Sequence, residues 1–204
     1  MTSAREAIRS GGTADVPCDG CTACCTSSQF VHIGPDETDT LAHIPPELVF
    51  PAPRLPSGHV VLGYDEAGRC PMLSESGCSI YEHRPRACRT YDCRVFSAAD
   101  VVPEDRQEAV AARARRWQFD YPADEDRQRH HAVRRAASFL AAHPDALPEG
   151  MSAANSTQLA ALAVVVHEVF LPPPGSSAPP PEPDPATVLA AARRIGRGGG
   201  RDAP

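Results

Sequence analysis

Apolar residues in the first half of this 204-residue chain occur in short runs between glycines and prolines. Two such runs, 30–33 and 59–64, predict brief β-strands in a loop-rich region. The segment 36–41 predicts a short helix, which Pro45 and Pro46 would end. This half is therefore expected to contain little regular structure of its own.

The pattern changes beyond residue 103. Apolar side chains recur at helical spacing over 104–119 and again over 126–143. A third helix is predicted after the cap candidates at 155–157. Its expected buried residues are Leu159, Leu162, Val166, Val169 and Phe170. The second half is thus predicted to be helical.

The predicted fold class is α+β, with a small loop-rich cysteine domain containing short strands, followed by a packed α-helical extension. We expect a flexible N-terminus at 1–15, the cysteine-rich domain at 16–100 and the helical extension packed on it at 101–171. The range 172–204 is rich in proline and glycine, which predicts a largely disordered tail that contributes nothing to a core. Within it, 186–195 predicts one short helix.

Composition and charge narrow the function classes. The net charge of −6 argues against general nucleic-acid binding. Residues 1–16 lack the apolar run of a signal peptide, and no stretch approaches the roughly 18 apolar residues of a membrane span. We therefore expect a cytoplasmic protein of bacterial type that contacts neither nucleic acid nor membrane, with a protein partner left unidentified.

The eight cysteines fall into two groups, four within 18–25 and four within 70–93. Thiolates at C-x-x-C spacing can bind one metal ion or cluster, and clustered cysteines in a reducing compartment bind metal more often than each other. The sequence therefore predicts a metal centre in the 16–100 domain. Its predicted ligands are Cys18, Cys21, Cys24, Cys25, Cys70, Cys78, Cys88 and Cys93.

Three kinds of metal centre fit this pattern. Cys18, Cys21 and Cys24 reproduce the first three ligands of a bacterial ferredoxin run, and a remote Cys-Pro follows at Cys70, which suggests an iron–sulfur cluster. Eight thiols can equally close two tetrahedral four-thiolate zinc sites. The third alternative is a mononuclear or binuclear iron site with an open coordination position. No cofactor beyond the metal is indicated, and no residue stands out as a catalytic acid or base.

Charged residues near the cysteines are expected to support the metal. Four arginines lie within 84–94, and guanidinium donors offset the negative charge of a thiolate-bound ion. His32 and His83 are the histidines nearest the cysteines in sequence. We expect them to donate hydrogen bonds near the centre more readily than to bind the metal.

The spacing also resembles a known family. The order CxxCxxCC, then Cys-Pro, then G-C-x-I-Y-x-x-R-P-x-x-C-R is similar to that of the YkgJ-type cysteine-cluster family, the zinc- or iron-chelating CxxCxxCC domain. The matching residues are Cys18, Cys21, Cys24, Cys25, Cys70, Pro71, Leu73, Gly77, Cys78, Ile80, Tyr81, Arg84, Pro85, Cys88 and Arg89. The resemblance implies that these cysteines chelate zinc or iron. The domain also occurs in flagellin lysine methylases, but this chain has no glycine-rich methyl-donor motif, so methylase activity is not expected.

The leading interpretation is a metal-binding cysteine-cluster protein that holds iron, as an iron–sulfur cluster or as iron ions, with a redox or enzymatic role that the sequence does not assign. The main alternative is a structural zinc-binding module that mediates a protein interaction. A further alternative is a thiol-based redox or metal-handling protein that holds its metal transiently. Whether the protein is an enzyme stays open at this stage.

Overall fold

The computed structural model describes residues 20–144, 155–173, 176 and 180–196. Contacts between Cα atoms divide these residues into two compact units. The first, here called the cysteine-rich unit, comprises 20–92 and 105–113. The second, the helical unit, comprises the described residues of 93–104 and 114–196.

The cysteine-rich unit contains five short strands and three short α-helices. The strands are β1 (Val31–Ile33), β2 (Val49–Pro51), β3 (Val60–Leu62), β4 (Leu73–Ser74) and β5 (Gly77–Cys78). The helices are α1 (Thr38–Ala42), α2 (Arg86–Thr90) and α4 (Glu108–Ala114), the last of which ends at the unit boundary. Short 3-10 turns occur at Cys24–Thr26, Pro46–Leu48, Tyr81–His83 and Asp105–Gln107. Helix α3 (Arg94–Ala99), between α2 and α4 in the chain, lies in the helical unit.

Strands β1, β3 and β2 form an antiparallel sheet in that order, with Val31 and Val49 both opposite Leu62. Strands β4 and β5 form a separate hairpin that places Leu73 opposite Cys78. The core beneath consists of Ile33, Ile44, Leu62 and Ile80, and the side chains of Cys70, Met72 and Cys78 pack against it. This core thus fixes two of the predicted metal ligands.

The helical unit contains four α-helices. These are α3 (Arg94–Ala99), α5 (Asp124–Ala142), α6 (Ser156–Val166) and α7 (Pro185–Gly196), with a 3-10 turn at His167–Phe170. Helices α3, α5 and α6 pack on one another, and α7 packs on α6. At the start of α6 the side chain of Asn155 accepts a hydrogen bond from the backbone N–H of Gln158 at 2.9 Å. Asn155 therefore caps the helix, as the sequence predicts.

The α+β class is confirmed, as are the strands near 30–33 and 59–64 and the helices over 126–143 and from 155. The helix over 104–119 is shorter than predicted and occupies Glu108–Ala114 after a 3-10 turn. The expectation that nothing after Pro172 contributes to a core is wrong, because Val188 on α7 is fully buried. The packing of 101–171 on the cysteine-rich domain, the flexible 1–15 and the disorder of the tail stay predictions. None of the helices in the described ranges is long and apolar enough to cross a membrane.

Candidate metal centre

Six of the eight predicted ligands line one cavity of about 410 Å³ in the cysteine-rich unit. They are Cys21, Cys24, Cys25, Cys70, Cys78 and Cys88. Cys18 lies outside the described residues, and Cys93 belongs to the helical unit. The fold thus gathers both sequence groups around a common space.

Two backbone hydrogen bonds join the first cysteine group to the second. The N–H of Cys70 donates to the carbonyl of Cys25 at 2.7 Å, and the N–H of Ser28 donates to the carbonyl of Gly68 at 2.9 Å. Gly68 has φ +74°, and a Cβ there would lie 2.4 Å from Ser28 Oγ, so the close approach requires glycine. The result is that Cys25 and Cys70 are held side by side.

The β4–β5 hairpin positions Cys78 relative to Cys70. The N–H of Leu73 donates to the carbonyl of Cys70 at 3.0 Å, and the N–H of Ser79 donates to the carbonyl of Met72 at 2.8 Å. Because Leu73 is opposite Cys78 in the hairpin, the chain leaves the cavity after Cys70 and returns to it at Cys78. The wide Cys70-x7-Cys78 spacing is therefore explained by a hairpin.

The carboxylate of Glu37 fixes the helix that carries Cys88. Glu37 is buried and accepts hydrogen bonds from the N–H of Gly34 at 2.9 Å and from the N–H of Arg86 at 2.5 Å. Arg86 is the first residue of α2, so the carboxylate satisfies a backbone donor that has no partner within the helix. One side chain thereby links the end of β1 to the start of α2.

The surroundings of Cys88 raise the pKa of its thiol strongly. Burial, together with the nearby thiolates of Cys25, Cys70 and Cys78, raises the pKa of Cys88 to about 12, while Arg84 acts in the opposite direction. Burial, with Cys78 beside it, also raises the pKa of Cys70. The charges of Cys25, Cys70, Cys78 and Cys88 thus influence one another. A metal that binds to these four thiols must displace their protons.

Arg84 places a positive charge next to these thiols. Its side chain is buried and lines the cavity, its guanidinium lies 3.7 Å from the centre of the Tyr81 ring, and its Nη1 donates to the Tyr81 carbonyl. A guanidinium in this position offsets the negative charge of metal-bound thiolates. The role expected for an arginine among the cysteines is thus supported for Arg84. Arg86, by contrast, pairs with the exposed carboxylate of Asp36.

The donor chemistry fits zinc or iron. Thiolate sulfur is a preferred ligand of both, and the six cysteines come from separate segments that surround the cavity. Among the residues the structure describes, no three cysteine sulfurs lie within 4.8 Å of one another. Four bonds of about 2.3 Å to a single zinc ion would therefore require the segments to move inward.

The remainder of the cavity wall is largely apolar. It includes Phe30, Val31, Leu62, Met72 and Ile80. Phe30 is 60% exposed and contacts the rings of Tyr64 and Phe50, with centroid distances of 4.8 and 6.1 Å. The cysteines therefore share the cavity with apolar side chains, and also with the polar side chains of Gln29, Glu75 and Arg84.

Cys93 has a distinct setting in the helical unit. It precedes α3, and the indole Nε1 of Trp117 donates a hydrogen bond to its sulfur at 3.4 Å. The guanidinium of Arg94 lies 5.8 Å from the centre of the Trp117 ring. The assignment of Cys93 as a metal ligand stays a prediction, as does that of Cys18.

The two histidines nearest the cysteines both form polar contacts. His32 Nε2 lies 2.9 Å from His59 Nδ1, and His83 Nδ1 lies 2.8 Å from Asp39 Oδ2.

Sequence reasoning missed the part played by Glu37. Its partner Arg86 lies 49 residues further along the chain, and no local pattern indicates so distant a contact.

Comparison with known proteins gives one match. No curated protein and no solved structure matches the chain. A family model, CxxCxxCC, described as a "Putative zinc- or iron-chelating domain", matches residues 17–115, a segment that contains all eight cysteines. Residues 17–115 thus carry a CxxCxxCC domain, which confirms the resemblance drawn from the motif.

Proposed function

We propose that the cysteine-rich unit holds iron, as an iron–sulfur cluster, and that the metal serves a redox or enzymatic role. The observation that carries this proposal is the cavity, because six cysteines face an open space of about 410 Å³. Metal chelation itself is supported by the family description. The choice of iron and of an active role is our inference.

The open cavity is the feature that supports an active role over a structural one. A structural zinc site is closed, with four protein ligands and no room for another molecule, whereas a catalytic site keeps a position open. Here the thiols share their cavity with Phe30, Met72 and Ile80, which supply apolar contact surface that metal binding does not need. We infer that a small molecule reaches the metal through this space.

The chain's own residues have definable tasks in such a centre. The thiolates supply the ligands, Arg84 balances part of their charge, and Glu37 holds α2 so that Cys88 stays at the cavity. The bound iron would supply the electron transfer or the activation of a ligand.

A structural zinc module is the second candidate. The observation in its favour is apolar surface on the same unit, where Phe30, Phe50 and Leu55 are 60%, 42% and 48% exposed. Contiguous apolar patches mark surfaces that bind other proteins, and the rings of Phe30 and Phe50 are in contact. In that case the metal would contribute folding free energy, and the partner would be a protein.

Metal and acid-labile sulfide analysis tests the proposal directly. Protein purified without oxygen and without a metal-affinity resin should contain iron and sulfide in similar amounts and absorb visible light. Iron without sulfide would point to an iron site with an open position. Stoichiometric zinc without colour would refute the proposal and support the structural module.

Single substitutions then test the ligand set. Cys88→Ser should remove most of the bound metal, because it deletes a thiol at the centre of the coupled group. Thr90→Ser is the matched control on the same helix, since serine keeps the hydroxyl that donates to the Arg86 carbonyl at 2.9 Å. Metal content equal in the two variants would exclude Cys88 as a ligand. Cys93→Ser shows in the same assay whether the ligand set extends beyond the cavity.

A further inference from the structure

A cluster of potential metal ligands lies on the cysteine-rich unit and contains no cysteine. It consists of Asp39, His43 and His83, and potential ligand atoms of all three residues lie within 4.8 Å of one another. Asp39 and His43 belong to α1 and the residue that follows it, whereas His83 ends a 3-10 turn 44 residues further along the chain. The fold therefore builds this group, because no local sequence pattern brings His83 to α1.

Asp39 orients both imidazole rings. Its Oδ2 accepts a hydrogen bond from His83 Nδ1 at 2.8 Å, and its backbone carbonyl accepts one from His43 Nδ1 at 2.8 Å. When Nδ1 carries the proton, the lone pair of a neutral imidazole is on Nε2. A metal-binding histidine usually donates its other ring N–H to a carboxylate or a backbone carbonyl in just this way. Each ring is thus held in the tautomer that can bind a metal through Nε2.

The two rings are already adjacent. They stack with centroids 3.6 Å apart and planes inclined by 7°. Both side chains are accessible to solvent, with 41% of His43 and 40% of His83 exposed. The lone pairs of parallel rings do not converge, so the rings must tilt out of the stack to share one ion, and their exposure leaves room for this movement.

The charge of the cluster favours a cation. The hydrogen bond from His83 is the main influence that lowers the pKa of Asp39, with His43 and Arg89 acting in the same direction, so the carboxylate stays ionised near neutral pH. The positive charge of Arg89 works against a cation, and solvent screens the whole group. Both effects predict a bound ion that exchanges readily.

We propose that His43 and His83 form a second metal site, in which Asp39 positions the rings and a divalent transition-metal ion such as Zn²⁺ or Ni²⁺ binds through imidazole nitrogen. Imidazole ligands suit these ions, and thiolate ligands are not needed. The site differs from the cysteine centre in its donor atoms and in its exposure to solvent. Its ion is also expected to exchange more readily with solution. It does not depend on which metal the cysteines hold.

A titration with Ni²⁺ tests this site. The protein is untagged, and its cysteine centre is left as purified. Calorimetry should show one Ni²⁺ per chain, with binding lost in His43→Asn and in His83→Asn. Asp39→Asn should lower the affinity by about tenfold or more, as expected for a residue that positions ligands. His59→Asn is the control, because His59 belongs to a second histidine pair, with His32, whose rings also stack, 5.1 Å apart.

A second measurement locates the ion. Paramagnetic Ni²⁺ should broaden the NMR signals of residues 39–43 and 81–83 before others, while the metal content of the cysteine centre stays unchanged. Undiminished Ni²⁺ binding by His83→Asn, or equal loss in His59→Asn, would overturn the proposal. So would the absence of bound Ni²⁺ at millimolar concentration. None of these three results bears on the iron content of the cysteines.

Discussion

The raised pKa of Cys88 predicts how the stability of the metal-free protein depends on pH. A thiol in the unfolded chain titrates near 9, whereas the folded environment raises the pKa of Cys88 to about 12. The folded state therefore holds this proton more tightly than the unfolded state does. The resulting stabilisation is fully present below pH 9 and is lost as the pH rises toward 12.

The size of the effect follows from linkage. Between these two pKa values each pH unit removes about 1.4 kcal/mol. Between pH 8 and pH 10 the loss from Cys88 alone is about 1.4 kcal/mol, since most of it falls above pH 9. The chain has no lysine, so thiols and the four tyrosines are the main side chains that titrate in this interval.

The assay is urea unfolding of metal-free, reduced protein at pH 8 and at pH 10, followed by circular dichroism. Cys88→Ala should be less stable at pH 8 but should lose about 1.4 kcal/mol less than the unmodified chain on going to pH 10. Cys93→Ala, which leaves the cavity intact, is the control and should retain the full dependence. Equal pH dependence in the Cys88→Ala variant and the unmodified chain would refute the assigned pKa.

Two further predictions concern stability at neutral pH. Glu37→Gln should lower the free energy of unfolding by about 2 to 4 kcal/mol, because the amide has one acceptor oxygen where the carboxylate uses two to accept the two N–H groups. Glu47→Gln, on the surface, is the control and should leave the free energy of unfolding unchanged. Urea unfolding compares the two variants, and equal midpoints would contradict the role of Glu37. Val188→Ala on α7 should cost about 2 kcal/mol, since it empties a fully buried position. Thermal unfolding compares it with Val102→Ala, at a site that is 77% exposed, and a smaller loss at Val188 would mean that α7 contributes little to stability.

The parts of the fold that sequence patterns predicted are those governed by local rules. The strands at Val31–Ile33 and Val60–Leu62 follow short apolar runs between turn residues, and Asn155 caps its helix as a local hydrogen bond demands. Cysteine spacing likewise indicated a metal centre, and the fold brings six of the thiols to one cavity. The strands, the helix cap and the spacing within each cysteine group depend on residues that are near one another in the chain. The meeting of the two groups depends on long-range contacts such as the hydrogen bond from the Cys70 N–H to the Cys25 carbonyl.

Local rules failed where a helix is apolar on most sides. Sequence reasoning placed five residues of this segment in the core. Val166 and Phe170 are buried, as predicted. Leu159, Leu162 and Val169 are only partly buried, and Ala160 and Ala163 are fully buried instead. Helix α6 is apolar nearly all round, so spacing alone does not select the face that packs. Small residues allow closer approach of neighbouring helices, and that selection becomes visible only when the partners are known.

The hairpin that separates Cys70 from Cys78 and the helix that carries Cys88 also bear on how the protein acquires its metal. Cys25 and Cys88 lie 63 residues apart in sequence, so a metal bound by both closes a long loop. During synthesis the first cysteines leave the ribosome well before α2 exists, and the binding site is completed only when the hairpin and α2 have been added. With Cys25 and Cys88 as ligands of one centre, metal loading is expected to be a late event that follows synthesis of the whole cysteine-rich segment.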